Sequence, residues 1–141
     1  MTERGGTDLQ ELLASMEASL SEESFVFCTF PNGSIEALAE HSPLGLFWEQ
    51  EGLTAILSIE NAGKAGVETE PCFRRISLAV HSSLEAVGLT AALSKALAEA
   101  DISANVVAAF YHDHIFVPEE KAEAAMAALE ELSRTAKAGL A

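Results

Sequence analysis

The sequence is poor in most of the residues that catalytic and interaction classes are built from. Of 141 residues only 2 are cysteine and 4 proline, and tryptophan and tyrosine occur once each. Cys28 and Cys72 form no CxxC pair, which excludes a thiolate zinc cluster and suits a reducing compartment. Lysine and arginine number 8 against 22 aspartates and glutamates, a formal charge of −14. A chain without a basic patch cannot neutralise a run of phosphates, so nucleic acid is not an expected partner. An anionic membrane surface is excluded on the same ground. No apolar run approaches the ~20 residues that span a bilayer, and the opening Met-Thr-Glu-Arg carries no secretory signal. GxSxG, P-loop, GxGxxG and HExxH patterns are all missing. The expectation is a cytoplasmic protein that is not an enzyme, with no catalytic residues and no cofactor.

Apolar residues make up 49% of the chain, enough for a packed core, so disorder is expected only at the ends. The length allows one unit or two interleaved half-size lobes. The acidity is uneven: residues 1–70 carry 13 acidic and 2 basic side chains, residues 71–141 carry 9 and 6. A solvated surface that keeps a small protein soluble accounts for this; a cationic partner or ligand is the alternative.

Residues 73–132 carry the clearest pattern. Ile76, Leu78 and Val80 alternate with Arg75, Ser77 and Ala79, the period of a half-buried strand. Leu89, Ala92, Leu93, Ala96, Leu97 and Ala100 then mark one face of a helix. Residues 104–110 return to extended sequence, residues 111–114 reverse it, and Ile115, Phe116 and Val117 extend again. Pro118 suits the start of a helix, whose buried side runs through Ala122, Ala125, Met126, Leu129 and Leu132. The order is β-α-β-β-α, most of a split βαβ sandwich. Ile76, Leu78, Val80, Leu93, Leu97, Val106, Met126 and Leu129 should share one core.

Residues 83–105, SLEAVGLTAALSKALAEADISAN, and the hairpin YHDHIFVP at 111–118 resemble the ACT domain, a small-molecule regulatory module. The chain as a whole resembles short bacterial tandem-ACT proteins that carry no catalytic domain. The resemblance implies an α+β, ferredoxin-like βαββαβ (ACT-like) sandwich of two lobes with interleaved strands. The lobes are expected at residues 1–70 and 71–141.

The first half fits an abbreviated copy of the same plan. Residues 1–6 read as frayed. Thr7 and Gln10 read as a capping box, opening a helix marked by Leu9, Leu12, Leu13, Met16 and Leu20. Residues 25–30 form a strand, residues 34–40 a short helix, and residues 44–48 and 53–59 a hairpin. Residues 60–66 give a helical turn or two, and residues 67–71 a linker. Nothing strand-like follows Leu132, so the second lobe needs an edge strand from the first, with residues 25–30 as the candidate.

The turn between strand and helix is the first candidate site. A helix start leaves N–H groups free beside the positive end of its dipole, a place for a carboxylate. Gly88 allows a close approach. The resemblance implies that Ser82, Ser83, Glu85, Ala86, Val87, Gly88 and Leu89 hold an amino acid by backbone contacts, with Asn105 as a ligand-contacting amide. On this reading a branched side chain at Gly88 blocks binding more than folding. The purely structural alternative has the serines ending the strand and Gly88 easing packing.

His112, Asp113 and His114 form the second candidate. The resemblance implies that this hairpin closes over the ligand and that Asp113 meets its positive end. Glu85 would supply a further carboxylate, a pair suited to an ammonium or guanidinium. Equally, Asp113 simply forms the reversal. His112 and His114 also have a metal-ligand spacing, but no further ligand accompanies them. Cys28 sits in an apolar strand and reads as inert core. Cys72 borders a loop beside Arg74 and Arg75, which would lower its pKa. Phe47 and Trp48 suit a core or an interface.

The expected function is regulatory and allosteric: binding of an amino acid or similar small molecule by an acidic protein that acts through ligand-dependent association, as at least a homodimer. The alternatives are an assembly module with no ligand and a His-based metal-binding protein.

Overall fold

Strand and helix periods are realised where local pattern is strong. In this computed structural model, which describes residues 3–80 and 88–140, helices and strands follow one another in a mixed order. They are α1 (Glu3–Ser15), β1 (Glu17–Phe30), α2 (Ile35–Ala39), β2 (Gly45–Glu49), β3 (Gly52–Ser58), α3 (Ile59–Lys64), β4 (Phe73–Ala79), α4 (Leu89–Glu99), β5 (Asn105–Ala108) and β6 (Asp113–Pro118). A 3-10 turn (Glu119–Lys121) then leads into α5 (Ala122–Leu140). The fold is α+β, as expected. The chain divides into two compact units, one of Met1–Ser21 with Arg75–Ala141 and one of Glu22–Arg74.

The first unit orders its strands β1-β4-β6-β5. Ile76 and Leu78 of β4 and Ile115 and Val117 of β6 point to one side. There they meet Leu13 of α1, Leu93 and Leu97 of α4, and Ala125 and Leu129 of α5. Val80, Val106 and Met126 pack against the same cluster, so the eight core residues read from periodicity do share one core. Each fully buried leucine contributes on the order of 2 kcal/mol.

The second unit orders its strands β2-β3-β1. β1 pairs antiparallel with β3 from Phe25↔Ser58 to Phe30↔Leu53, and β3 pairs with β2 from Gly45↔Ile56 to Glu49↔Gly52. The core holds Val26, Leu38, Leu53, Ala55, Leu57, Ala62 and Cys72. Ser34 caps α2 by accepting from Ala37 N–H, and Ser58 caps α3 by accepting from Asn61 N–H, both at 3.1 Å. Gly52 turns the hairpin at φ 153°, where a Cβ would come within 2.7 Å of the Pro31 Cα.

The N-terminal segment departs from the sequence reading. α1 begins at Glu3, so Thr7 is inside the helix and not its cap. Gln10 donates from Nε2 to the Ala136 carbonyl at 3.3 Å, which ties the helix to α5 instead of closing a capping box. The helix ends at Ser15, and Leu20 lies in β1. The reason is a change of period: Ala18 and Leu20 pack on the core while Ser19 and Ser21 alternate with them. Ser19 Oγ donates to the Ser77 carbonyl at 3.5 Å, and Arg75 N–H donates to Ser21 Oγ at 3.1 Å. The strand beside β4 is therefore residues 17–21, while residues 25–30 pair with β3 of their own unit. Pro118 caps the 3-10 turn, and α5 starts only at Ala122.

Leu13→Ala tests the attachment of α1. Loss of this buried side chain should cost about 2–5 kcal/mol in urea unfolding; a change of about 0.5 kcal/mol, typical of a surface site, would show that α1 does not hold the unit together.

Candidate functional site

A helix start and a hairpin lie at the same end of the first unit. α4 returns along the sheet from the end of β4, and β5 runs back again, parallel to β4. The start of α4 and the reversal closed by Ala109 N–H to the His112 carbonyl (3.1 Å) are consequently at the same end. Ser82, Ser83, Glu85, Ala86 and Val87 lie outside the described residues.

Gly88 is the N-cap of α4, with φ 96° and ψ −8°. Among the described residues no side chain caps the helix, its first turn carries no acidic residue, and its ladder begins with Ala92 N–H to the Gly88 carbonyl at 2.9 Å. Helix geometry then aims the first-turn N–H groups out of the end, beside the positive pole of the dipole. A carboxylate suits that place. Leu89 buries its side chain in the core and can offer only backbone. A Cβ on Gly88 would stand 3.2 Å from Leu9 Cδ2 and would need a left-handed backbone. The glycine is thus required by the fold, and a Gly88→Val change would strain folding as well as any binding.

Asn105 opens β5, exposed and opposite Phe116. It follows the far end of α4, whose 11 residues span about 16 Å. Gly88 and Asn105 are not brought together.

The hairpin residues separate by the pleat. Asp113 pairs with Ala108 and lies on the side of Ile115 and Val117, the side that the helices cover. His114 pairs with Val107 and points to the other side, where its Nδ1 is 2.8 Å from Ser77 Oγ. His112 is exposed, its ring 6.3 Å from that of His114. Burial, the Arg75 charge and the His112 charge all push the His114 pKa below 6.5, with Asp113 opposing. His114 is thus a neutral, hydrogen-bonded imidazole at pH 7. Ser77 was not among the candidates: alternation shows its face, but no local signal shows that β6 lies beside it.

Among the described residues no three His, Cys, Asp or Glu side chains converge as metal ligands, and no helix is long and apolar enough to cross a membrane. Cys28 Sγ donates to the Ala55 carbonyl at 3.4 Å, and burial pushes its thiol pKa up. Cys72 is buried in the core of the second unit and not displayed at a loop surface, because it packs with Leu53, Leu57 and Ala62. A separate open cavity of about 580 Å³ lies where Met16, Glu17 and Ala18 meet Leu129 and Ser133 of α5, and none of the candidate residues lines it.

Two stretches match family profiles described as ACT domain, residues 4–74 and residues 68–131. Over 92% of its length the chain is 49% identical to a Vibrio cholerae protein of unknown function whose crystal structure is described as a possible transport protein. The TM-score is 0.84 and 98% of that chain is covered. The ligand-free regulatory subunit of aspartate kinase from Thermus thermophilus shares the fold at 14% identity and TM-score 0.61, over 82% of this chain and 95% of that one. A protein from Agrobacterium tumefaciens does so at 13% identity and TM-score 0.58, over 84% and 89%. No curated protein matches the chain.

Two outcomes follow from the geometry. His114 binds a proton less readily folded than unfolded, so the unfolded state holds more protons as pH falls below 6.5. This contribution to stability should be intact above pH 6.5 and disappear as pH falls through the lower folded value. Urea midpoints at about pH 7.5 and about pH 5.5 should differ less in His114→Gln than in the wild type; an equal difference would remove His114 from the account. Gly88→Ala should cost about 1–3 kcal/mol without any ligand, measured by the same unfolding assay.

Proposed function

We propose a function from one premise: the chain belongs to the ACT domain family. ACT domains are in general ligand-binding regulatory domains. On our reading this protein is cytosolic, binds an amino acid or a similar small metabolite, and regulates through ligand-dependent association as at least a homodimer. Along the sequence, residues 1–70 and 71–141 are each read as one ACT repeat, with residues 1–21 folded into the same compact unit as the second. It is read as non-enzymatic and as using no metal.

The observation that carries this reading is the start of α4 at Gly88, which no described side chain caps, at the same end of the sheet as Asp113. The ligand's carboxylate is held by backbone N–H groups of the turn Ser82, Ser83, Ala86, Val87, Gly88 and Leu89. Its positive end meets Asp113 and Glu85. His112 stands on the hairpin that flanks the site. The neutral His114 and the distant Asn105 belong to the sheet that carries the hairpin.

The test is a thermal-shift screen of the common amino acids, run with and without divalent metal and chelator. A true ligand at 100 times its dissociation constant should add about 2.7 kcal/mol of stability. Asp113→Ala should lower the preference for a cationic over a neutral amino acid by about 1.5–3 kcal/mol, the worth of a charge-assisted contact. No shift with any amino acid would leave the assembly module as the reading. A shift with metal alone, reversed by chelator, would favour the histidine site.

A further inference from the structure

The cavity of about 580 Å³ beside α5 has no part in the function proposed above. Its size falls within the roughly 300–1,000 Å³ of small-molecule sites. α1 and α5 run antiparallel where they touch, because Gln10 donates to the Ala136 carbonyl and Ser133 to the Ala14 carbonyl. One turn further on, the chain reversal at Met16 and the start of β1 come against Leu129 and Glu130, and the cavity opens there. Small side chains leave the room, Ala18 on the strand and Ser133 on the helix. Met16 and Leu129, both buried, give it an apolar floor.

The rim is ordered by charge. Glu130, Arg134 and Lys137 follow one another along one face of α5, at i, i+4 and i+7. The antiparallel run of α1 puts Glu17 at the Glu130 end. Lys137 stands at the other end, ~10 Å along the helix axis. Arg134 is paired with Glu131, one turn back. Among the described residues Glu17, Glu130 and Lys137 form no ion pair with another protein group.

This order selects among ligands. A simple anion would face two carboxylates, and a simple cation would face Lys137 and Arg134. A ligand with both charges, set at separate ends, meets opposite charge at each end of the rim. A single amino acid carries its two charges on neighbouring atoms and cannot reach both ends. Three extended residues span at most ~10 Å, which matches the rim. Ser133 Oγ gives its hydrogen to Ala14 and keeps lone pairs for a peptide N–H between the ends.

We infer that this cavity is a second ligand site, for a short peptide of about three residues with free termini and an apolar middle side chain. Its ammonium meets Glu17 and Glu130, its carboxylate meets Lys137 and Arg134, and its side chain lies on Met16 and Leu129. The site does not depend on the reading of Gly88 and Asp113.

NMR titration of the isotope-labelled full chain with alanyl-leucyl-alanine tests it, at peptide concentrations up to about 2 mM. Amide shifts should move at residues 16–18 and 129–137, with a dissociation constant of about 0.1 mM. Acetylating the peptide's amine or amidating its carboxylate should each weaken binding about tenfold, through loss of a charge-assisted contact. Glu130→Gln should weaken the free peptide by that factor and leave the acetylated peptide unchanged. Lys137→Gln should do the same for the free peptide and leave the amidated one unchanged. Both side chains are exposed, and circular dichroism checks that the variants fold. Asp113→Ala should leave peptide binding as it is. No shifts with the peptide, or equal affinity in Glu130→Gln, Lys137→Gln and the wild type, overturn the site. Loss of peptide binding in Asp113→Ala alone also overturns it, and makes the peptide a ligand of the Gly88 end. Free leucine binding here as tightly as the peptide overturns the ligand class.

Discussion

The structure depends on residues 1–21 folding back onto the C-terminal half. By itself the run β4-α4-β5-β6-α5 has three strands and leaves β4 as a bare edge. It also leaves the later turns of α5, at Ser133 and Ala136, without a partner surface. α1 covers those turns, with Ser133 Oγ donating to the Ala14 carbonyl at 3.3 Å and Gln10 donating to the Ala136 carbonyl. The first residues of β1 then extend the sheet beside β4. Both contacts join segments more than 50 residues apart, so the entropy of closing a long loop is set against apolar burial and backbone hydrogen bonds made together. This favours a unit that forms as a whole.

The same attachment shapes the proposed site. β4 is held on both sides, by β1 and by β6. Leu9 of α1 stands against Gly88 itself, so the helix start that is offered to a carboxylate is also a packing joint. The electrostatics are lopsided in a useful way. A chain of charge −14 repels anions in general, and the first turn of α4, free of acidic side chains, is a local exception created by backbone dipoles. A zwitterion suits such a surface better than a simple anion, because Asp113 can answer its positive group. The pleat assigns the hairpin's two titratable neighbours to different tasks: Asp113 goes to the helix side, and His114 goes to the opposite side, locked to Ser77.

Period was legible in the sequence because it is local, whereas the capping box read at Thr7 and Gln10 does not form, since α1 already begins at Glu3. The alternation of Ile76, Leu78 and Val80, the 3.6-residue stripe of Leu89, Leu93 and Leu97, and the short helices after Ser34 and Ser58 are each decided by backbone geometry within a few residues. So was the ACT resemblance, carried by a turn, a helix and a hairpin that are contiguous in the chain. Leu20 was misread because apolar residues at 9, 12, 13, 16 and 20 satisfy a helical period. The competing two-residue alternation of Ala18 and Leu20 becomes decisive only when a strand is there to pair with. Partnership between distant segments has no local signature. Tertiary structure alone decided that residues 17–21 lie beside β4, that Cys72 is buried, that Ser77 meets His114, and that Asn105 stands a helix length from Gly88. Strand pairing and packing satisfy backbone and apolar groups wherever a matching surface exists, and the choice among matching surfaces belongs to the whole chain.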